Sequence, residues 1–231
     1  VSVSILHMKN VVITGTSRGI GYELVQLYGA KNYNVICLTR DLSTISNTKN
    51  ISVVSTDLSS PESIKNAVDF INDKFSSVDI LINNAGQLIN KPFNKTSFTD
   101  FESVYKVNVF GVAELIRLLL KSFNSPAHIV NISSIGGIAG SSKFLGLSAY
   151  SSSKGALNIL TEMLYEEFKE SDITINTLAL GAVQTEMLNN AFPGYKAPLS
   201  AKEMADFILE FSLNGFKFFN GKIIPVSISN P

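Results

Sequence analysis

The chain alternates between short β-branched runs and longer stretches in which apolar residues recur at helical spacing. Residues 11–14 predict a first strand, and residues 20–30 an amphipathic helix with Ile20, Leu24, Val25 and Leu27 on one side. Asn34–Thr39 and Ile51–Ser55 predict the next two strands. Ser60 then offers a helix cap, Pro61 the first helical position and Glu62 a first-turn carboxylate. The helix they start carries Ile64, Ala67, Val68, Ile71 and Phe75 and stops near Ser76. Further along, 80–82 predicts strand four, 98–123 a long helix, 129–132 strand five and 150–169 a second long helix. Residues 173–178 predict strand six, 201–213 a late helix and Ile223–Val226 a last strand.

Continuous Val/Ile strands separated by helices imply parallel strands buried on both faces. Right-handed crossovers turn this pattern into an α/β, doubly wound, mostly parallel Rossmann-like sheet with helices on both faces. No repeat, linker or low-complexity run interrupts it, so the 231 residues read as one domain. Residues 1–7 precede the first patterned strand and read as an artificial addition or a loose extension, without the basic and apolar regions of a signal peptide. In such sheets ligands bind beyond the carboxyl ends of the strands.

Composition narrows the partners. A formal net charge of zero argues against a nucleic-acid partner. No apolar run reaches the ~18–20 residues that span a bilayer, so no membrane partner is expected. Cys37 is the one cysteine and cannot form an internal disulfide, which fits a reducing cytoplasm. It falls mid-strand and reads as core. His7 and His128 share no ligand spacing with each other or with Cys37, so no metal site is expected.

Residues 14–21 read TGTSRGIG and join the first strand to the first helix. Gly15, Gly19 and Gly21 allow a tight turn, and Ser17, Arg18 and Ile20 lie where a pyrophosphate would meet free N–H groups at a helix start. The G-x-x-x-G-x-G spacing differs both from G-x-G-x-x-G and from a P-loop, which needs Gly-Lys-Ser/Thr. An ordinary glycine-rich connection is the competing reading, and the position between first strand and first helix favours a dinucleotide.

The second strand ends Leu38-Thr39-Arg40-Asp41. Enzymes that use NAD usually place an acid there for the ribose 2′-hydroxyl. If Thr39 takes that position, Arg40 follows as a guanidinium able to pair with a 2′-phosphate, and Arg18 faces the same corner. Two of the chain's three arginines then serve NADP(H). A one-residue slip would instead make Asp41 the ribose acid and NAD(H) the cofactor. Asp57, with Leu58 beside it, can accept from an adenine amino group or simply cap a helix. Asn84, Ala85 and Gly86 end strand four, where small residues permit close approach to a ribose and the asparagines can lock neighbouring strands.

Tyr150 and Lys154 lie one helical turn apart, but so do Tyr165 and Lys169, so the spacing alone decides nothing. Context separates them. Tyr150 opens its helix at the cleft end, opposite the Ser133-Ser134 pair that ends strand five, whereas Tyr165 lies four turns away. A cation about 4 Å from a phenol is worth roughly 4 kcal/mol at an effective dielectric near 20, or about three pKa units before desolvation opposes it. Lys154, with an oxidised nicotinamide, would thus bring Tyr150 toward working pH as acid/base, and Ser134 would donate to a substrate oxygen.

With TGTSRGIG, DL, NNAG, VNVFG, IVNISS and YSSSK in this order from about Lys9 to Val226, the chain resembles the short-chain dehydrogenase/reductase family. The resemblance implies an oxidoreductase moving a hydride between NADP(H) and a carbonyl or alcohol carbon, like the carbonyl-reducing members. It implies Ser134 as the catalytic serine, and Asn108 as holder of a water that links Lys154 to solvent. It matches Gly15, Ile20, Arg40, Asp57, Leu58, Asn84, Ala85 and Gly86 to cofactor contacts, Tyr150 and Lys154 to the nicotinamide ribose, and Val183 and Thr185 to the carboxamide. Homodimers or homotetramers through the two long helices follow from the resemblance alone.

Two departures bear on the substrate. Leu180 stands where the family usually has proline, which would loosen the following loop. The stretch from Ser134 to Tyr150 is about three residues longer than usual and adds residues 141–143 at the pocket mouth. Leu188, Phe192 and Tyr195 suggest a short lid over a partly apolar substrate, or a helix that merely packs down. An acidic helix end, Glu170-Ser171-Asp172, with only Lys121 nearby, disfavours an acyl-carrier substrate. A non-catalytic nicotinamide-binding sensor or scaffold, and an NAD-dependent 3-oxoacyl reductase, are the alternative readings.

Overall fold

The computed structural model describes residues 9–228. The N-terminal extension and His7 lie outside the described residues. Seven strands form one parallel sheet: β1 (Asn10–Thr14), β2 (Asn34–Thr39), β3 (Ile51–Ser55), β4 (Val78–Asn83), β5 (Phe123–Ser134), β6 (Ile173–Leu180) and β9 (Ile223–Val226). Their order is β3-β2-β1-β4-β5-β6-β9, with every adjacent pair parallel. The chain winds outward from β1 to β3 and then restarts at β4 on the other side of β1. That reversal opens a crevice above the carboxyl ends of β1 and β4.

Alternation along each strand decides which layer it feeds. Val11 and Ile13 face one side, where they pack with Leu24, Val25 and Tyr28 of α1 (Gly19–Ala30) and with Met204, Ile208 and Leu209 of α7 (Ala201–Asn214). Val12 faces the other side with Ile64, Val68 and Ile71 of α2 (Pro61–Lys74), Leu115, Ile116 and Leu119 of α4 (Gly111–Leu119) and Leu157 of α5 (Ser148–Phe168). Helices therefore cover both faces, as the strand composition implies. Ser60 caps α2 by accepting from Ser63 N, with Pro61 in its first turn, as expected from the sequence.

His128 ties α7 to the sheet. Its Nδ1 lies 3.0 Å from the Ser212 carbonyl and its Nε2 lies 3.1 Å from Asn176 Nδ2, while Ser212 Oγ meets the Tyr28 hydroxyl of α1. Burial holds the imidazole down at about 4, the Ser212 carbonyl opposing. Cys37 is fully buried in β2, and burial pushes its thiol up to about 12, which makes it core.

Several boundaries differ from those expected. The single helix over 98–123 is instead α3 (Phe98–Tyr105), a π-turn over Lys106–Phe110, and α4, which stops at Leu119. Phe123 already belongs to β5, which is twelve residues long because its first part extends alongside Val78 at the amino end of β4. The second long helix begins at Ser148, so Tyr150 sits within its first turn rather than opening it. Strand β6 runs on through Leu180, which pairs with Ser134 on one side and Val226 on the other. Leucine keeps the N–H that proline lacks, and the strand runs through this position with a partner on each side. Beyond it lie β7 (Val183–Gln184), α6 (Glu186–Ala191) and β8 (Leu199–Ser200), with β7 and β8 forming a small separate ladder.

Candidate active site

One cleft of about 960 Å³ lies above the crevice. Its floor is the glycine loop. Gly15 and Gly19 have left-handed backbones, at φ +70° and +57°, which favour glycine. A Cβ on Gly15 would come within 2.7 Å of Ala85 Cα, so this glycine also lets the β1 and β4 ends touch. Gly21 does not line the cleft. A Cβ there would sit 2.2 Å from Gly15 O and 2.5 Å from Asn84 Nδ2, so its smallness packs the helix onto the loop. Asn84 does lock neighbours, donating to Thr14 O and Gly15 O at 3.0 Å each, while Asn83 reaches Asn131 Oδ1 of β5 at 2.8 Å.

Helix α1 starts without a side-chain cap and with no acidic residue in its first turn. Helices α2, α3, α6 and α7 are each capped by a hydroxyl, from Ser60, Ser97, Thr185 and Ser200 respectively. The cleft therefore receives the positive end of α1 with its N–H groups uncommitted to any cap. Ser17, Arg18, Gly19 and Ile20 line it there. Arg18 is not turned inward alone: its guanidinium lies 3.3 Å from Glu186 at the start of α6.

At the end of β2, Thr39 is buried and pairs with Ser55, and Arg40 is the first residue beyond the strand. Arg40 and Asp41 both line the cleft. The Asp41 carboxylate accepts from Ser43 N at 2.9 Å and Ser43 Oγ at 2.6 Å, and these bonds hold its pKa below the ordinary carboxylate value. Asp57 takes part in a similar turn through Oδ1, which accepts from Ser59 N and Oγ. Asp57 thus shapes the turn before α2, whose cap is Ser60 and not Asp57, and with Leu58 it lines the cleft.

At the far end, Ser134, Tyr150 and Lys154 converge. The segment after β5 lies flat on α5 because Gly136 and Gly137 stand there. A Cβ on Gly137 would meet Lys154 C and Gly155 N at 2.7 Å, and one on Gly136 would meet Ser151 Oγ at 2.9 Å. Ser133 turns to the helix backbone, donating to Lys154 O at 3.2 Å, whereas Ser134 Oγ accepts from Gly136 N at 3.2 Å and lies beside the Tyr150 side chain. Lys154 is 3% exposed, and its Nζ donates to Ile132 O at 2.7 Å, 5.8 Å from the centre of the Tyr150 ring.

Electrostatics here run against the simple charge argument. Desolvation pushes Tyr150 up to about 12, with the Ser134 hydroxyl as the opposing influence. Desolvation also pulls Lys154 down to about 8. The ammonium is held by the Ile132 carbonyl, and burial is the larger influence on the phenol. In the protein alone, Tyr150 is a protonated acid at neutral pH.

Asn108 sits in the π-turn and is completely buried, outside the cleft. Its Oδ1 accepts from Gln87 N at 2.8 Å, and its Nδ2 donates to Gln87 O at 2.9 Å and Ser153 Oγ at 2.9 Å. Its side chain thus fastens the segment after β4 to α5. Val183 and Thr185 line the cleft, and Thr185 Cγ2 lies 3.4 Å from where a Gly19 Cβ would be, closing the loop against the start of α6. Tyr165, the second Tyr-x-x-x-Lys tyrosine, packs its ring against Gly221, and Lys169 pairs with Glu166.

Sequence reasoning missed Gln87, Met187 and Phe144, which also line the cleft. Gln87 directly follows the Asn-Asn-Ala-Gly run, and that adjacency was the available signal. Nothing local marks the other two.

A family model described as short chain dehydrogenase matches residues 9–196. The chain belongs to the short-chain dehydrogenase family. Within it, the fatty acyl-CoA reductase of Acinetobacter baylyi is 31% identical over 214 residues, covering 87% of this chain and 72% of that protein. Among solved structures, ElxO with NADP bound superposes at a TM-score of 0.83 with 27% identity, over 95% of this chain and 97% of that one. A 4-hydroxyisoleucine dehydrogenase complexed with NADH superposes at 0.85 with 25% identity and the same coverage. This short-chain dehydrogenase is accordingly an oxidoreductase by family. No helix among the described residues is long and apolar enough to cross a membrane.

Proposed function

We propose that this chain is an NADP(H)-dependent carbonyl reductase or alcohol dehydrogenase with Tyr150 as its acid/base. The observation that carries this reading is the convergence of Ser134, Tyr150 and Lys154 at one end of a cleft whose other end is an uncapped, glycine-lined helix start. The residues fit a nicotinamide dinucleotide. The α1 N-terminus suits a pyrophosphate, Asp57 and Leu58 suit an adenine, and Gly86 lines the cleft without a side chain beside Lys154, whose Nζ a Cβ there would approach to 3.6 Å.

When bound, the nicotinamide supplies or accepts the hydride. The chain's own groups do the rest. Ser134 Oγ and the Tyr150 hydroxyl donate to the substrate oxygen and stabilise the charge that develops on it. Tyr150 releases its proton to that oxygen in the reducing direction and recovers it in the oxidising one. Burial holds the phenol protonated at neutral pH, the state that donates to a carbonyl oxygen. Lys154 lies beneath the ribose site, where its charge stabilises the phenolate once the proton has left. Asn108 positions Gln87 and Ser153, and so the approach of Gly86 to Lys154.

For NADP(H) over NAD(H), the support is Arg40 beyond β2, with the neighbouring Asp41 carboxylate engaged by Ser43. Exposed apolar residues on the π-turn and α5, Phe110, Ile159 and Met163, favour a homodimer or homotetramer through those helices, readable by light scattering. The lone Cys37 fits a reducing cytoplasm as its compartment.

Tyr150→Phe tests the mechanism. NADPH binding survives in this variant while turnover on a panel of ketones and aldehydes collapses. Activity near wild type would sink the assignment. Abundant cofactor binding with no turnover by the unmodified protein would make it a nicotinamide-binding sensor instead.

A further inference from the structure

The cleft divides by charge. Arg18, Arg40, Asp41 and Asp57 all line the half beyond β1, β2 and β3. In the other half, around Tyr150, the lining is neutral: Gln87, Leu88, Leu147, Leu188, Phe192 and Tyr195. Lys154 is committed to a carbonyl below, and Glu186 to Arg18. Lys143, in the added segment, spends its ammonium on Ile138 O and Ser141 Oγ, both at 2.6 Å.

That half also has a built roof. Phe144, directly after the added residues, stacks edge-on against Phe192 with ring centres 6.2 Å apart and planes at 62°. The two rings come from segments on opposite sides of the mouth, one before α5 and one after α6. Asn90 ties those segments together. Its Nδ2 donates to Ala191 O at 2.7 Å, and its Oδ1 occupies the place a Cβ on Gly146 would need, 1.9 Å away. Gly146 is left-handed, at φ +85°, and its carbonyl accepts from Lys91 N at 3.0 Å. Phe144 is nevertheless 58% exposed and Tyr195 51% exposed, so two aromatic faces stand unfilled at the mouth.

Resting on the carbonyl-reduction reading above, we propose that this half of the cleft is an aryl subsite, and that the substrate is a neutral aromatic ketone or aldehyde. Phe144 and Phe192 determine specificity, and Asn90 is the positioning residue that fixes their separation. A ring seated against an aromatic pair gains area and favourable edge-to-face geometry. A carboxylate or phosphate on the same ring would lose its water with no cation to receive it.

Acetophenone, 4-acetylbenzoate and 2-butanone, each with NADPH and in parallel with NADH, share one carbonyl chemistry and isolate the ring and the charge. Acetophenone is expected to exceed both others in kcat/KM by about tenfold or more, a step of roughly 1.4 kcal/mol. Phe144→Ala raises KM for acetophenone about tenfold and narrows its lead over 2-butanone. Asn90→Ala does the same with both rings intact, which a merely structural role would not do to KM alone. Leu145→Ser, at an almost fully exposed neighbour outside the cleft, is the control. Equal or better use of 4-acetylbenzoate, or an unmoved KM in Phe144→Ala, overturns the proposal. If no ketone is turned over with either cofactor, the catalytic reading fails and equilibrium dialysis decides the subsite alone. Retention of acetophenone over 4-acetylbenzoate then supports it, and equal retention or none overturns it.

Discussion

Arg18 and Glu186, 168 residues apart in the chain, form an ion pair of 3.3 Å that bridges the glycine loop and the first residue of α6 across the cleft. Both side chains are more than half exposed, so solvent screens the pair and its worth is small, about 0.2–1 kcal/mol. Its importance is competitive. A guanidinium engaged by a carboxylate is less available to a phosphate.

Glu186→Gln is therefore expected to tighten NADPH about two- to fivefold, the range that pair energy allows. NADH, which lacks the 2′-phosphate, gains less. Fluorescence titration with both cofactors reads the difference. Equal gains would mean that Arg18 serves the shared pyrophosphate and that Arg40 alone recognises the 2′-phosphate.

Gly86 separates folding from binding. A Cβ there would meet only ordinary contacts, Lys154 Nζ at 3.6 Å and Asn108 Oδ1 at 3.7 Å, and its backbone is not left-handed. Gly86→Ala is thus expected to keep or raise the unfolding free energy by about 0.5–1 kcal/mol. Cofactor affinity falls by roughly tenfold or more, about 1.4 kcal/mol, because the methyl fills the space assigned to the nicotinamide ribose. Chemical denaturation and a binding titration on the same sample check both halves. Gly15→Ala, by contrast, meets backbone at 2.7 Å and is expected to unfold the loop.

Lys154, which the proposal above places beside the acid/base, carries a cost in stability. Its pKa falls from 10.5 to about 8 through burial, so the unfolded chain binds its proton more tightly between those values. Its contribution is fully favourable only above about 10.5 and is lost as pH falls through 8. At pH 7 this penalty is about 3 kcal/mol, partly offset by the bond to Ile132 O, worth about 1–2 kcal/mol. Lys154→Met is expected to be inactive yet at least as stable as the parent at pH 7, with a flatter stability profile between pH 8 and 10. A clear loss of stability at pH 7 would show that the carbonyl bond outweighs the buried charge.

His128 sets the acid limit. Its pKa drops from 6.5 to about 4 on folding. The unfolded state therefore takes up the proton first, and stability is intact above 6.5 and falls as pH drops toward 4. The expected loss is about 3 kcal/mol across that window. His128→Gln should lower stability at pH 7 but remove this part of the slope, as urea melts at pH 7, 5.5 and 4.5 would reveal.

Much of the fold is legible locally because the information is local. Strands β2, β3 and β9 are short runs rich in β-branched residues, and their ends match to the residue. Ser60-Pro61 announces α2 through its own capping chemistry. The π-turn carries no such mark: Lys106–Phe110 holds neither glycine nor proline, and the Gln87 backbone that Asn108 binds from within it lies 21 residues away. The same limit applies to the site. Positions 134, 150 and 154 can be picked from spacing and element order. The direction of the Lys154 ammonium cannot, because Ile132 O receives it across 22 residues. Desolvation, not charge pairing, is the larger influence on Tyr150. Phe144 and Asn90 were invisible for a similar reason, since their partners lie on the far side of the mouth.

The π-turn also governs which genetic changes this enzyme can absorb. A π-turn holds one residue more than an α-turn over nearly the same rotation and rise, so one residue removed between 106 and 110 would let the segment close as regular α-helix with α4 in the same orientation. Val112, Leu115, Ile116 and Leu119, all buried, would keep their places against the sheet. The loss would fall instead on Asn108 and its bonds to Gln87 and Ser153, so a single-codon deletion here should spare the fold and disturb the cleft.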